Sequence, residues 1–216
     1  MLDTIETYSP LTAPLPSIQV PFFRPHIHEA EVNEVIATKS SGWLTTGQRD
    51  GRLEEEFAKA VNAKYAVALN SCTAALHLAV EAIGLREGEA VLIPTMTFAA
   101  TAEIILYKKA VPVLVDCDPV TGNMDLADAA RKIEKLRSRT LPFLHGRELK
   151  AVGMIPVHVG GYMIDVDAIK RFADDHGLWV IEDAAHAFPS AWRPNADSNW
   201  RYCGDETASV TCFSYY

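Results

Sequence analysis

Apolar residues along this chain follow two spacings, and their alternation predicts the secondary structure. Short runs of adjacent apolar residues are typical of strands buried on both faces, whereas apolar residues three or four positions apart are typical of helices. The runs predict strands at 65–69, 90–93, 111–115, 151–157, 178–183 and 207–213. The wider spacing predicts helices near 32–36, 53–61, 76–83, 99–107, 125–137 and 166–175. This alternation predicts an α/β fold, a mostly parallel sheet with helices on both faces.

The segments outside this alternation suggest the domain boundaries. Residues 1–20 are rich in proline and lack periodicity, so we expect an irregular arm there. Residues 21–216 then form one domain, in which 138–149 and the polar stretch 189–206 are expected to be loops. Asp125 and Asp165 stand where helix N-caps are expected, and Gly84 stands where a left-handed C-cap is expected.

Composition narrows the classes of function. The chain has 216 residues, 49% of them hydrophobic, and a formal charge of −8, which argues against a nucleic-acid surface. No run approaches the roughly 20 apolar residues that cross a bilayer, and the first residues lack signal-peptide features. The four cysteines have no metal-type spacing, so we expect no metal site, reduced thiols and a cytoplasmic location.

The apolar run at 178–181 leads directly into Glu182 and Asp183, with His186 three residues later. Open α/β sheets bind ligands at the carboxyl ends of their strands, where Asp183 is expected to lie. A buried carboxylate requires an opposite charge, and a protonated pyridine nitrogen would provide one. A helix cap or an internal salt bridge is the alternative interpretation of Asp183.

Two further strand ends carry residues that could bind a ligand. Ser71 can cap the helix after the first strand, and the amides of Cys72, Thr73 and Ala74 would then face outward, as a phosphate requires. Ordinary capping explains the same residues without a ligand. Phe98 follows another strand and could stack on a flat ring, although core packing is the simpler interpretation.

His158 follows a further predicted strand and precedes two glycines, Gly160 and Gly161. There is no G-x-G-x-x-G motif, so a nicotinamide site is weakly supported. Ser71, His158 and Asp183 could be written as a hydrolase triad, but no nucleophile elbow surrounds Ser71. The strand-end residues taken together predict a site for a planar, phosphorylated, cationic ring.

These motifs resemble the DegT/DnrJ/EryC1/StrS family of sugar aminotransferases over about residues 20–216. The resemblance implies the aspartate-aminotransferase-type large domain, which is fold type I among enzymes of pyridoxal 5'-phosphate (PLP). The matching stretches are SGWLTTG (41–47), NSCTAALHL (70–78), PTMTFAAT (94–101), PVLVDCD (112–118), PVHVGG (156–161), EDAAHA (182–187) and CFSYY (212–216).

The resemblance also implies roles for individual residues. Asp183 would pair with the ring nitrogen of PLP, His186 would lie near the ring oxygen, and Phe98 would stack on the ring. The phosphate would be held by Thr73 and Ala74 with help from Ser71 and Cys72, and by Ser214. The loop containing Trp43, Thr45 and Thr46 would line the cleft for a nucleotide-linked keto-sugar. Glutamate would be the amino donor, and the enzyme would be a homodimer.

One feature of the family falls outside the sequence. The lysine that holds PLP as a Schiff base would stand five residues after Ser214, at position 219, and the family's small C-terminal domain would follow. We therefore expect the chain to correspond to the front part of a longer enzyme. Two alternative functions stay open: a dehydratase of the same family, which has histidine in place of that lysine, and an inactive fragment that only binds or dimerises. A regulator on this fold would need a DNA-binding module, and the sequence contains none.

Overall fold

The computed structural model describes residues 21, 24–142, 148–205 and 207–215. The chain divides into two compact units, Met1–Gly47 and Gln48–Tyr216. In the first unit, helix α1 spans Glu29–Ser41 and ends at Gly42, whose φ is 72°. The predicted arm lies outside the described residues, so the domain boundary at 20/21 stays a prediction.

The second unit alternates strands and helices as predicted. Its helices are α2 (Gln48–Ala60), α3 (Cys72–Ile83), α4 (Ala100–Tyr107), α5 (Leu126–Arg137) and α6 (Val166–His176). Its strands are β1 (Ala90–Pro94), β2 (Val111–Val115), β3 (Ala151–Met154), β4 (Trp179–Ala184), β5 (Ala191–Trp192), β6 (Arg201–Tyr202) and β7 (Val210–Phe213). The predicted caps are confirmed: Asp125 accepts the N–H of Ala127, Asp165 accepts that of Ala168, and Gly84 has a φ of 84°.

Five strands form one parallel sheet in the order β2-β1-β3-β4-β7. Because the strands are parallel, all their carboxyl ends lie at one edge of the sheet. The chain passes from β1 to β2 on one side and returns to β3 on the other, which makes the crevice between β1 and β3 a topological switch point. The predicted parallel sheet is therefore confirmed.

Helices cover both faces of this sheet, and β1 shows the division most clearly. Ala90 and Leu92 pack in a core with residues of α5 and α6, whereas Val91 and Ile93 pack in a core with residues of α3 and α4. In β4, Ile181 belongs to the α3/α4 face. Successive strand residues point to opposite faces, so Asp183 shares that face and Glu182 points to the other.

The predicted strand at 65–69 is wrong for the described structure. The segment belongs to no strand, and Tyr65 and Val67 are 76% and 75% exposed. Its Ala68 N–H donates to the carboxylate of Glu54 at 2.9 Å instead of to a neighbouring strand. An apolar alternation becomes a strand only when another strand supplies its hydrogen bonds, and no described residue does so here.

The bounds of two further strands and the content of one predicted loop also differ from the prediction. Strand β3 ends at Met154, and the predicted remainder contributes only an isolated bridge between Val157 and Asp183. Strand β7 begins at Val210 rather than at residue 207. The expected loop at 189–206 contains the antiparallel pair β5 and β6, while 143–147 of the other expected loop lie outside the described residues.

Candidate cofactor site

Asp183 lies near the carboxyl end of β4 and is only 5% exposed. Its Oδ2 accepts a hydrogen bond from the Thr101 hydroxyl at 2.8 Å, and its Oδ1 accepts the Ala185 N–H at 3.2 Å. Within the described ranges, no basic side chain forms an ion pair with Asp183. The salt-bridge interpretation therefore fails for these residues, and the position inside a strand excludes a helix cap. The carboxylate therefore lies at the ligand-binding edge of the sheet without a cationic partner among the described residues.

The first turn of α3 supplies amide groups beside this carboxylate. Ser71 caps the helix, and its Oγ accepts the Ala74 N–H at 3.1 Å. This corrects the expectation of three outward amides, because the cap takes the one on Ala74. Among the described residues, the N–H groups of Cys72 and Thr73 have no acceptor. A helix N-terminus with such amides favours an anion through its dipole.

The thiol of Cys72 turns away from the helix axis and toward β7. Its Sγ lies 3.6 Å from the backbone oxygen of Cys212, which places the start of α3 beside the end of that strand. Burial, and then the charge of Asp183, raise the pKa of the Cys72 thiol to about 12. The thiol therefore stays neutral, and Cys72 can contribute its amide, but not a thiolate, to the site.

Strand β7 brings Ser214 to the same edge. Asp183 pairs with Cys212 in the parallel register, and Ser214 follows two residues later. Because Cys212 also contacts Cys72, the carboxyl end of β7 lies between the carboxylate of β4 and the amides of α3. The structure thus brings together two of the predicted strand-end features, Asp183 and the first turn of α3, and Ser214, whose role the resemblance implied.

Phe98 precedes α4 and is 77% exposed, so the core-packing interpretation is wrong. The residues on both sides of it are fixed by hydrogen bonds: the hydroxyls of Thr97 and Thr101 lie 2.6 Å apart, and Thr101 reaches Asp183. The exposed ring therefore belongs to a segment that is tied to the carboxylate. An aromatic ring in this setting is available for stacking on a flat ligand.

His186 lies in the exposed turn after β4, and its Nδ1 accepts the Gly160 N–H at 3.3 Å. A neutral imidazole that accepts at Nδ1 carries its proton on Nε2 and can donate there. Gly161 allows the close approach, since a Cβ on it would lie 2.8 Å from the backbone oxygen of His186. The glycines after His158 therefore support the turn that carries His186.

The loop with the predicted substrate residues belongs to the first unit. The Trp43 indole donates to the Thr46 oxygen at 2.9 Å, and a Cβ on Gly47 would lie 2.5 Å from the indole nitrogen. Trp43 is 65% exposed, and Thr45 and Thr46 are exposed as well. An internal hydrogen bond therefore orders the loop, and its role in substrate binding stays a prediction.

The sequence profile of the DegT/DnrJ/EryC1/StrS aminotransferase family matches residues 25–216. The chain belongs to this family. The resemblance seen in the motifs is therefore confirmed, together with the fold, because solved sugar aminotransferases of this type share it.

Two curated relatives illustrate the match. The spore coat polysaccharide biosynthesis protein SpsC of Bacillus subtilis is 41% identical over 197 residues, which cover 91% of this chain and 45% of SpsC. The uncharacterized protein MJ1066 of Methanocaldococcus jannaschii is 36% identical over 197 residues, which cover 91% of this chain and 46% of that protein. The chain thus spans about half the length of these relatives.

Two solved structures share the fold. The PMP form of Spr1654 from Streptococcus pneumoniae, described as a sugar aminotransferase, superposes with a TM-score of 0.77 at 28% identity and covers 92% of this chain and 48% of that one. A 3-amino-5-hydroxybenzoic acid synthase superposes with a TM-score of 0.72 at 29% identity and covers 89% of this chain and 45% of that one. Spr1654 has also been solved in a PLP form.

The residues of this family member fit PLP at the carboxyl edge of the sheet. The buried Asp183 lacks a cationic partner in the described structure, and a protonated ring nitrogen would provide one. The amides of Cys72 and Thr73, near the hydroxyl-bearing Ser214, suit a phosphate. The chain therefore presents an acceptor for a cation and donors for an anion at the two ends of one site.

His158 takes no part in this site. It is fully buried, its Nδ1 accepts the Ile164 N–H at 3.3 Å, and its Nε2 lies 3.7 Å from Glu182. Ser71 and Asp183 have other partners, so no hydrolase triad forms.

His158, Glu182 and Cys203 offer ligand atoms within 4.8 Å of one another, a grouping that could hold a metal ion. A histidine that binds a metal through Nε2 keeps its proton on Nδ1. Here Nδ1 accepts a backbone N–H, which places the proton of a neutral ring on Nε2. Burial, and then the charge of Glu182, raise the pKa of the Cys203 thiol, which opposes a thiolate. This hydrogen-bonding pattern favours a polar core over a metal centre.

Sequence reasoning missed Thr101, which bonds Asp183 and appeared only as part of a motif. It also missed Thr207 and Thr211, which lie outside the site and donate to Glu182 on the other face of the sheet. Among the described residues, no helix combines the length and the apolar character needed to span a bilayer.

Proposed function

We propose that the intact protein is a PLP-dependent aminotransferase that moves an amino group from glutamate to a nucleotide-linked keto-sugar. The observation that carries the proposal is the carboxylate of Asp183, which is 5% exposed and, among the described residues, bonded only to neutral donors. A buried charge of this kind is costly unless a cation approaches it. The family membership supports the same reaction class.

The phosphate of the cofactor would be held at the start of α3. The amides of Cys72 and Thr73 would face it, and Thr73 and Ser214 would add their hydroxyls. Ser71 and Ala74 would act together, because the bond between them shapes the helix start. Ion-dipole attraction and these donors would orient the cofactor before any chemistry.

The ring would lie across Asp183. PLP supplies an electron sink when it is bound, and Asp183 would keep its ring nitrogen protonated. Phe98 would stack on one face of the ring, and His186 would donate from Nε2 to the ring oxygen. Trp43, Thr45 and Thr46 would contact the nucleotide-linked sugar.

Activity is proposed for a protein that also contains the remaining half of its relatives' length. The resemblance implies that the lysine at position 219 lies in that part, and that two subunits associate into a homodimer. All four cysteines are free, which supports a reducing, cytoplasmic location.

Binding of PLP to the 216-residue chain tests the cofactor site. We expect saturable binding in equilibrium dialysis, and Asp183→Asn should weaken it about 10- to 150-fold, the range for losing a charge-assisted hydrogen bond. Asp174→Asn is the matched control, because Asp174 is exposed and forms a surface ion pair with Lys170 at 2.9 Å. Absence of saturable binding, or an equal loss in both variants, would contradict the proposal.

A further inference from the structure

Thr101 is a fully buried polar residue in the first turn of α4. Its hydroxyl lies 2.8 Å from Oδ2 of Asp183, 82 residues away in sequence. An ionised carboxylate only accepts, so Thr101 donates its single proton to Asp183. The 2.6 Å contact between the hydroxyls of Thr97 and Thr101 must then run from Thr97 to Thr101. The three side chains form a directed hydrogen-bond chain that ends on the carboxylate.

This arrangement departs from the usual behaviour of threonine in helices. A helical threonine commonly turns its hydroxyl to a carbonyl of the preceding turn, as Thr38 does with the Glu34 oxygen at 2.8 Å. The Thr101 hydroxyl instead bonds one hydroxyl and one carboxylate. Its direction is therefore set by Asp183 and Thr97, and not by the helix.

We propose that Thr101 is a positioning residue, which orients the Asp183 carboxylate toward the ring nitrogen of PLP. This inference rests on the proposed function. The second torsion of an aspartate is broad, so rotamer preference alone does not fix the plane of the carboxylate. Donors on both oxygens do fix it: Thr101 holds Oδ2, and the Ala185 N–H holds Oδ1 at 3.2 Å.

The chemistry of the donor matters as much as its place. A lysine or arginine at the position of Thr101 would neutralise Asp183 and compete with a cationic ligand. A hydroxyl and a backbone amide are neutral, so they hold the carboxylate and leave its charge for the ligand. The absence of any ion pair to Asp183 in the described structure agrees with this division of roles.

The test compares PLP with its analogue in which carbon replaces the ring nitrogen. Both ligands are titrated into the 216-residue chain and into Thr101→Val and Thr101→Ser. Valine keeps the shape and removes the hydroxyl, whereas serine keeps the hydroxyl. We expect Thr101→Val to weaken PLP about 3- to 30-fold, to leave the carbon analogue unchanged, and Thr101→Ser to bind PLP as the wild type does. Thr38→Val is the matched control and should change neither affinity.

Each outcome decides between the two proposals. If the wild type binds PLP and Thr101→Val binds it equally well, or loses both ligands equally, the positioning role is wrong while the cofactor site stands. If the wild type binds no PLP, both proposals fail. Thermal unfolding checks that the variants fold. Should Thr101→Val fail to fold, the ratio of PLP affinities between Thr101→Ser and Thr101→Ala, which differ only in the hydroxyl, gives the same decision.

Discussion

Removing the hydroxyls of Thr207 and Thr211, which bond Glu182, should lower the free energy of unfolding by more than the loss of two ordinary hydrogen bonds would. Glu182 is fully buried, and its Oε2 accepts from Thr207 at 2.8 Å and from Thr211 at 2.9 Å. Its Oε1 has no hydrogen-bond partner among the residues that the structure describes, and His158 Nε2 lies 3.7 Å from Oε2. The two threonines are therefore the only side chains within hydrogen-bond distance of this carboxylate in the described structure.

The magnitude follows from these contacts. A hydrogen bond to a charged group contributes about 1.5–3 kcal/mol to the free energy of unfolding, and the methyl that replaces each hydroxyl returns about 0.8 kcal/mol at most. Thr207→Val and Thr211→Val should therefore each cost about 1–2 kcal/mol. The double variant leaves the buried Glu182 carboxylate without a hydrogen-bond donor among the described residues. It should lower the free energy of unfolding by about 3–5 kcal/mol, the range for an uncompensated buried charge. That total exceeds the sum of the singles by about 1 kcal/mol.

Urea unfolding, followed by tryptophan fluorescence and far-ultraviolet circular dichroism, measures these differences. Thr140→Val is the control, because Thr140 is exposed and does not contact Glu182. Adding Glu182→Met to the double variant removes the buried charge, and we expect most of the loss to be recovered. A double variant as stable as Thr140→Val would refute the reasoning, since it would mean that Glu182 does not depend on these hydroxyls.

Three further predictions concern pH, the His186 turn and activity. Burial would raise the pKa of Asp128, but the Asp116 N–H and two neighbouring basic side chains outweigh it and lower the pKa. Asp128→Asn should therefore reduce stability at pH 7. In urea unfolding experiments the difference should begin to shrink as the pH falls below about 4 and should disappear only below the lowered pKa of Asp128. Gly161→Ala should destabilise the turn by about 1–3 kcal/mol and weaken PLP binding in dialysis, because its Cβ would lie 2.8 Å from the His186 oxygen and Gly161 has a φ of 82°. The 216-residue chain should release no 2-oxoglutarate from glutamate and a nucleotide-linked keto-sugar in a coupled assay, and turnover above the blank would show that the lysine is misplaced.

The parallel sheet could be predicted because its strands carry their own signal. In β1, four adjacent apolar residues are all fully buried and divide between two helical layers, which is what an uninterrupted apolar run requires. The helix ends could be predicted for a similar reason, since Asp125 and Asp165 bond the amides that follow them. Both signals depend on residues close in sequence.

Pairing between distant segments could not be predicted in this way. Residues 65–69 have the composition of a strand, but their pairing depends on a neighbouring strand that local sequence cannot identify. The reverse holds for β5 and β6, two residues each within a polar stretch. Their pairing is supported by the Arg193 guanidinium, 4.4 Å from the Trp200 ring, a contact that hydropathy does not reveal.

In the candidate site, too, contacts between distant residues could not be predicted from local sequence. Glu182 and Asp183 are adjacent acids after one apolar run, and sequence alone gives them the same signal. Strand geometry sends them to opposite faces, where Thr207 and Thr211 hold Glu182 in the core and Thr101 holds Asp183 at the carboxyl edge of the sheet. Threonine is common on protein surfaces, so the sequence does not distinguish a buried threonine donor from a surface threonine. An acid that directly follows an apolar run is easier to recognise. A sequence can therefore identify the charged members of such a site, but the neutral donors that hold each acid in place come from other elements and appear only in the folded chain.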